Sequence, residues 1–363
     1  MRSFIGTAFQ CVAQALAACT DAARARYSTE FTVVAVMQKV AKKLKAVPTP
    51  AEWTAAESVE LYAIRNWGAG YFDIADDGDV TICVPGNGER VAVSLMDIIA
   101  GIQQRGLQMP TLLRIENLLD AQITLLNESF RRAIDTLGYK AEYRGVFPIK
   151  VNQQCQVIEE IAHFGARYGH GLEAGSKAEL LIALAHLQPG AGYIICNGYK
   201  DEEFIDLGLQ ALQLGYQCFF VIETPAELPI ILEASRRIGV RPMLGARVKL
   251  SARVEGHWNE SSGDRSIFGL TTAQIVELID SLRRDEMLDC LQLLHYHLGS
   301  QIPNIRDIRG AVLEACRYYM DLKQEGAAMG ILDLGGGLAV DYDGSQTNYQ
   351  YSKNYSLDEY SSD

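Results

Sequence analysis

The sequence predicts an α/β protein whose main body is a parallel barrel of strand–helix units. About seven of the eight units that a closed barrel needs are present. Three observations carry this expectation. From Tyr143 onward, short apolar runs alternate with helical patterns. The alternation repeats often enough to imply a parallel sheet rather than an isolated crossover. Ahead of Tyr143 the rhythm is different and reads as a smaller α+β segment.

Taken in order, residues 1–50 form a basic extension with a net charge of +5, closed by the break Val47-Pro48-Thr49-Pro50. A floppy or helical extension is the reading of this stretch, and organellar targeting is the alternative. Residues 51–140 form the α+β segment. Its turn Asp76-Asp77-Gly78 lies between two alternating apolar runs, which is a hairpin pattern. Residues 93–140 read mainly as helix: Leu112, Ile115, Leu118 and Leu119 recur at helical spacing, as do Ile123, Leu126 and Phe130. Residues 141–363 form the barrel. Its strands are expected at Tyr143–Val151, Tyr168–Leu172, Gly192–Cys196, Gln217–Ile222, Met243–Lys249, Leu291–Leu298 and Gly330–Leu334. Helices are expected between them, for example at Ser176–His186 and Ala226–Ile238. Seven parallel strands leave unpaired edges, so the chain is expected to be the front portion of a longer protein.

The net charge is −12, and outside the basic extension it reaches −17. This balance argues against nucleic acid or an anionic membrane as partner. No stretch of 18 uncharged apolar residues marks a membrane span. The eight cysteines show no paired spacing, and Cys196 and Cys218 fall inside apolar runs. That usage fits a reducing, cytoplasmic compartment. No metal-ligand spacing is visible.

Three places carry chemistry. Lys150 is one cation in the apolar run Val146-Phe147-Pro148-Ile149-Lys150-Val151. A strand-end lysine alone most often snorkels to water. In a buried strand its amine is partly desolvated, neutral and nucleophilic, as a Schiff-base lysine must be. His297 opens His297-Leu298-Gly299-Ser300 at the C-terminal end of an expected strand, where barrel enzymes place catalytic groups. An imidazole there can lie flat on a cofactor ring, and Ser300 can bond phosphate. Gly335-Gly336-Gly337 follows the last strand and exposes successive N–H groups as an anion nest. A dinucleotide fold is set aside because the G-x-G-x-x-G spacing is absent. An amine, a flat ring and an anion cradle are the parts that hold pyridoxal phosphate.

These segments, with Tyr62–Phe72, Gly171–Leu180, His295–Gln301 and Leu332–Gly344, resemble the pyridoxal-phosphate decarboxylases built on an alanine-racemase-type (β/α)8 barrel. Within that family, Pro148-Ile149-Lys150-Val151-Asn152-Gln153 and Gly337-Leu338-Ala339-Val340-Asp341-Tyr342-Asp343-Gly344 are similar to the arginine-decarboxylating members. The resemblance implies decarboxylation of L-arginine to agmatine and CO₂, in putrescine and spermidine biosynthesis. Diaminopimelate or another basic amino acid as substrate, or a non-catalytic homologue, stands as the alternative. It implies that Lys150 holds the cofactor covalently and His297 stacks on its ring. It also implies that Ser300, Gly335, Gly336 and Gly337 cradle the phosphate, with Glu173 near the site and Arg247 approaching the ring hydroxyl. Ile331, Asp333, Gly335, Gly336, Gly337 and Asp341 fall in the stretch assigned to substrate contact. Mg²⁺ and a homo-oligomer follow from the resemblance alone, with no metal ligands named. Two positions depart from the family pattern: Ile267 stands where a basic residue is usual, and Ala339 stands where glycine is common and would stiffen the loop. The family's Glu-x-Gly-Arg motif and its C-terminal β-domain, which completes a partner's site, are not in the sequence.

Overall fold

The computed structural model describes residues 53–85, 90–251 and 266–363, so the basic extension 1–50 lies outside the described residues. Ser58–Asp363 is the larger of two units and is compact. Within the larger unit, strands β1 (Phe72–Ile74), β2 (Val80–Pro85) and β3 (Arg90–Ser94) form a small antiparallel sheet. The expected hairpin is β1–β2. Its turn is closed by the Ala75 N–H bonded to the Asp79 carbonyl at 2.8 Å, with Gly78 at a φ of 92° that favours glycine.

The stretch 93–140 is helical in two pieces, Leu95–Gln104 and Glu116–Leu137. Ser94 ends β3 and caps the first helix, its hydroxyl accepting from the N–H groups of Met96 and Asp97. The second helix ends on Gly138 in the left-handed conformation. One expectation is corrected here. Leu112 and Ile115 do not belong to the helical face, because the segment before Glu116 contains Pro110 and runs outside any helix. Leu112 is accordingly 75% exposed.

The main sheet has seven strands: β4 (Val146–Pro148), β5 (Gly171–Ala174), β6 (Tyr193–Cys196), β7 (Gln217–Ile222), β8 (Met243–Arg247), β9 (Leu291–His297) and β10 (Ile331–Gly335). All pair in parallel, and each pairs with its neighbour in the chain. The sheet curls into a partial barrel with helices on its outside. Strand alternation splits the core in two. Cys218, Phe220 and Ile222 of β7 face the helices and join the large outer cluster. Phe219 and Val221 face inward and meet Ile195 and Leu293, with Val146, Tyr193, Met243 and Ile331 packed beside them. Both faces are therefore buried, and the strands read as continuous apolar runs. Each large side chain buried in this way contributes about 1.5–3 kcal/mol.

Two strands differ most from expectation. Residues 166–168 form a short 3-10 turn and the strand starts only at Gly171. The run Tyr143–Val151 is strand only over Val146–Pro148 and then turns as a 3-10 helix over Ile149–Val151. Pro148 has no N–H for a ladder, and the chain leaves the sheet directly after it. The expected burial of Lys150 is corrected with it. Ile149 is fully buried, but the Lys150 side chain is 58% exposed at the strand's C-terminal end.

Candidate active site

The inner face of the partial barrel has an apolar floor and a polar rim. Counting by twos along the strands from the floor residues Ile195, Val221, Gly245 and Leu293 reaches Asn197, Glu223, Arg247 and then His295 and His297. Glu173 pairs with Ile195 in the β5–β6 register, and Asp333 pairs with His295 in the β9–β10 register. The period-2 pattern of a strand thus delivers every one of these groups to the same end of the sheet.

The rim is built from pairs of opposite charge. Lys150 Nζ lies 3.6 Å from Glu173 Oε1. Arg247 Nη1 donates to Glu223 Oε1 at 2.6 Å, with both side chains largely buried. Arg247 also lies over the Phe268 ring, 5.4 Å from its centroid. His295 Nδ1 is 2.9 Å from Asp333 Oδ2, close enough for an ion contact but without hydrogen-bond alignment. His297 stands at the mouth with its side of the strand end exposed to solvent. The surrounding protein desolvates the imidazolium, and His295, Arg247 and Lys150 oppose its charge. Its pKa is pushed down to about 3, so the ring is neutral at physiological pH.

The glycine run laces the ends of β9 and β10 together. The Leu298 N–H donates to the Gly335 carbonyl at 3.0 Å, and the Gly337 N–H donates to the Gly299 carbonyl at 2.9 Å. Gly336 and Gly337 have φ of 73° and 92°, where a side chain is strained. A Cβ on Gly335 would lie 2.5 Å from the Tyr296 carbonyl oxygen and 2.6 Å from His295 Cε1, and one on Gly336 would strike the Gly299 carbonyl. Only bare backbone fits here, leaving a cradle lined by main chain. Ala339 is buried beneath it, its N–H donating to Tyr355 Oη at 2.9 Å. Ser300 is exposed beside the cradle.

Most residues expected at the site therefore converge: Lys150, Glu173, Arg247, His297, Ser300, Asp333 and Gly335–Gly337 share the C-terminal rim. Two do not. Ile331 opens β10 and packs on the apolar floor. The Asp341 carboxylate accepts from Ser352 Oγ at 2.6 Å and from the Gln346 N–H at 3.3 Å, which commits it to its own loop. Asn197, Glu223 and His295 were missed, although extending the inward alternation of three apolar strands by one step reaches each of them. Among the described residues no group of three or more His, Cys, Asp or Glu could hold a metal ion. None of their helices is long and apolar enough to cross a membrane.

A covalently held pyridine ring with a phosphate asks for a reachable amine, a flat neutral ring, a fixed cation and an anion cradle free of side chains. Lys150, His297, Arg247 and Gly335–Gly337 supply these in one place, so the rim fits such a group.

Comparison with known proteins agrees. The family model described as the pyridoxal-binding domain of pyridoxal-dependent decarboxylases matches residues 123–361. The biosynthetic arginine decarboxylase of Gloeobacter violaceus is 48% identical over 312 residues, covering 86% of this chain and 48% of that protein. That of Rhodopirellula baltica is 47% identical over 312 residues, covering 86% of this chain and 46% of that protein. The solved structure of the biosynthetic arginine decarboxylase of Campylobacter jejuni has a TM-score of 0.73 at 35% identity, covering 83% of this chain and 47% of that one. A Helicobacter pylori diaminopimelate decarboxylase shares the fold, with a TM-score of 0.54 at 21% identity over 67% of this chain and 57% of that one. The chain spans about half the length of the curated relatives it matches.

Proposed function

Because the chain belongs to the pyridoxal-dependent decarboxylases and carries their pyridoxal-binding domain, we propose that the protein decarboxylates L-arginine to agmatine and CO₂. The 48% identity with a biosynthetic arginine decarboxylase carries this reading. By the same likeness the reaction belongs to polyamine biosynthesis in the cytoplasm and the protein works as a homo-oligomer, with Mg²⁺ entering by likeness alone. Within the chain, residues 51–140 are the N-terminal α+β segment and 141–363 are the cofactor barrel.

Pyridoxal phosphate, when bound, supplies the electron sink for the pair left by the departing carboxylate. The chain's own residues hold and orient. Lys150 offers the covalent attachment from an exposed position, with Glu173 opposite its charge. Neutral His297 packs on the ring face without adding a charge there. Arg247, fixed by Glu223 and Phe268, presents a cation to the ring hydroxyl. The backbone of Gly335 and Gly336, with Ser300, would take the phosphate, while Gly337, whose N–H donates to the Gly299 carbonyl, shapes the cradle. Asp333 is the substrate-contact candidate. Ile331 and Asp341 enter only by shaping the floor and the 341–352 loop.

The test is product analysis of the cofactor-saturated full-length protein on arginine, ornithine, lysine and diaminopimelate. Agmatine from arginine at a kcat/KM well above the other three is the expected result. Preference for another substrate would move the protein within the family. No turnover, together with no borohydride-fixed cofactor, would make it a non-catalytic homologue.

A further inference from the structure

Behind the rim, one buried carboxylate organises two strand ends. Glu227 opens the helix Glu227–Ile238, and its side chain is 4% exposed. It accepts from the Glu223 N–H at 2.9 Å and the Lys200 N–H at 3.4 Å. Lys200 Nζ reaches both of its oxygens at 3.3 Å and donates to the Gly198 carbonyl at 2.6 Å. The Lys200 side chain is completely buried. Lys200 follows β6 and Glu223 follows β7, so the pair ties together the loops leaving both strands.

Glu223 is held from both sides. Glu227 takes its N–H, and its carbonyl accepts from the Gly269 N–H at 3.1 Å. Its carboxylate is then aimed at Arg247 of β8, 2.6 Å away. A continuous chain of polar contacts runs from Lys200 through Glu227 and Glu223 to the guanidinium at the rim. Taking an ion pair out of water costs several kcal/mol, and apolar side chains of the same volume often stabilise as well or better. Cohesion alone therefore does not account for charges at 200 and 227. What the charges add is direction, because several donors converge on one carboxylate at the origin of the Glu223 loop.

We propose that Lys200 and Glu227 are positioning residues, which fix the orientation of Glu223 and through it the direction in which Arg247 meets the cofactor. The proposal rests on the reading of Arg247 as a cofactor contact. Glu227 bonds to Glu223 and not to Arg247, so both residues act on the guanidinium only through Glu223.

The test is a coupling experiment on the full-length apoprotein. Lys200→Met, the double variant Lys200→Met/Glu227→Met, Arg247→Ala and their combinations are titrated with pyridoxal phosphate. The dissociation constant, the visible absorption maximum of the bound cofactor and the unfolding midpoint are read for each. The double variant leaves no buried charge unpaired, so it separates orientation from simple unfolding. The expected result is a folded double variant that binds at least about tenfold more weakly, a loss of about 1.4 kcal/mol, with a shifted absorption maximum. In the Arg247→Ala background the same changes should add no further loss, because the path ends at Arg247. Fully additive losses, wild-type affinity in the double variant, or a double variant unable to fold would each overturn the proposal. Unchanged affinity in Arg247→Ala would instead remove the assignment of Arg247 itself, and this inference with it.

Discussion

Replacing Gly335 by alanine adds one methyl group at the point where β9 and β10 are tightest. The new Cβ would sit 2.5 Å from the Tyr296 carbonyl oxygen, 2.6 Å from His295 Cε1 and 3.2 Å from His297 Nδ1. Comfortable separations for such atoms are about 3.5 Å, so the overlap is roughly 1 Å on two sides. The Tyr296 oxygen is backbone and cannot step aside, and His295 is buried with its Nδ1 against Asp333. Relief must come from the end of β10 moving away, which stretches the 3.0 Å bond from the Leu298 N–H to the Gly335 carbonyl. Overpacking of this kind costs about 1–3 kcal/mol, and the weakened hydrogen bond about 1 more. The expected loss is therefore about 2–4 kcal/mol in unfolding free energy, read as a lower denaturation midpoint at unchanged m. The displaced cradle and His297 ring should also weaken pyridoxal phosphate binding at least tenfold, which corresponds to about 1.4 kcal/mol. Gly330→Ala is the control, because a Cβ there meets only the Ala328 carbonyl at 4.0 Å. Wild-type stability and cofactor affinity in Gly335→Ala would refute the close-approach reasoning outright.

Other outcomes follow from the same geometry. Lys150→Ala should leave no cofactor mass on any tryptic peptide after borohydride reduction, and retention at a second lysine would remove the assignment. Burial among Gly145 and Gly165 pushes the His170 pKa down to about 4. The unfolded chain, with an ordinary histidine value near 6.5, then binds the extra proton between about pH 4 and 6.5. Stability should fall by about 3 kcal/mol as pH drops through that window. His170→Gln should flatten this part of the profile, and an unchanged slope would count against it. Ser352 is fully buried and donates to Asp341. Ser352→Ala should destabilise by about 1–3 kcal/mol and speed hydrogen exchange across residues 341–352, whereas unchanged exchange would show that this bond does not hold the loop.

The strands of the barrel were legible because burial on both faces writes an apolar run of strand length into the sequence. Gln217–Ile222 matches residue for residue, and the other strands differ by at most two positions at either end except β4 and β5, which differ by two or three because Pro148 and Gly171 set the true limits. β3 was not legible: Arg90–Ser94 is a largely exposed strand of mixed character that pairs with the neighbouring β2 and shows no clear apolar face. Lys150, His297 and the glycine run stood out because each breaks its local pattern. Asn197 and Glu223 were passed over because a polar residue just after an apolar run looks like the beginning of a loop. Exposure at Lys150 could not be read from its neighbours either. The turn after Pro148 buries Ile149 in the outer cluster and leaves Lys150 exposed at the rim, and that is a backbone event rather than a compositional one.

The order of the main sheet, β4 through β10 without a single swap, also bears on how the chain assembles. Val146, Gly171, Tyr193, Gln217 and Met243 open successive strands at intervals of 22 to 26 residues. Each strand's partner is the one laid down just before it, so the sheet can grow at one advancing edge while later units are still unformed. The step from Met243 to Leu291 spans 48 residues, about twice the earlier intervals. Doubling a loop adds only about 0.6 kcal/mol of closure entropy, so even this step does not interrupt the progression. His295, His297, Asp333 and the glycine run are all delivered after it. A sheet grown this way would have its first five strands, with Lys150, Glu173, Glu223 and Arg247 at their ends, in place before the last two bring the histidines and the glycine run.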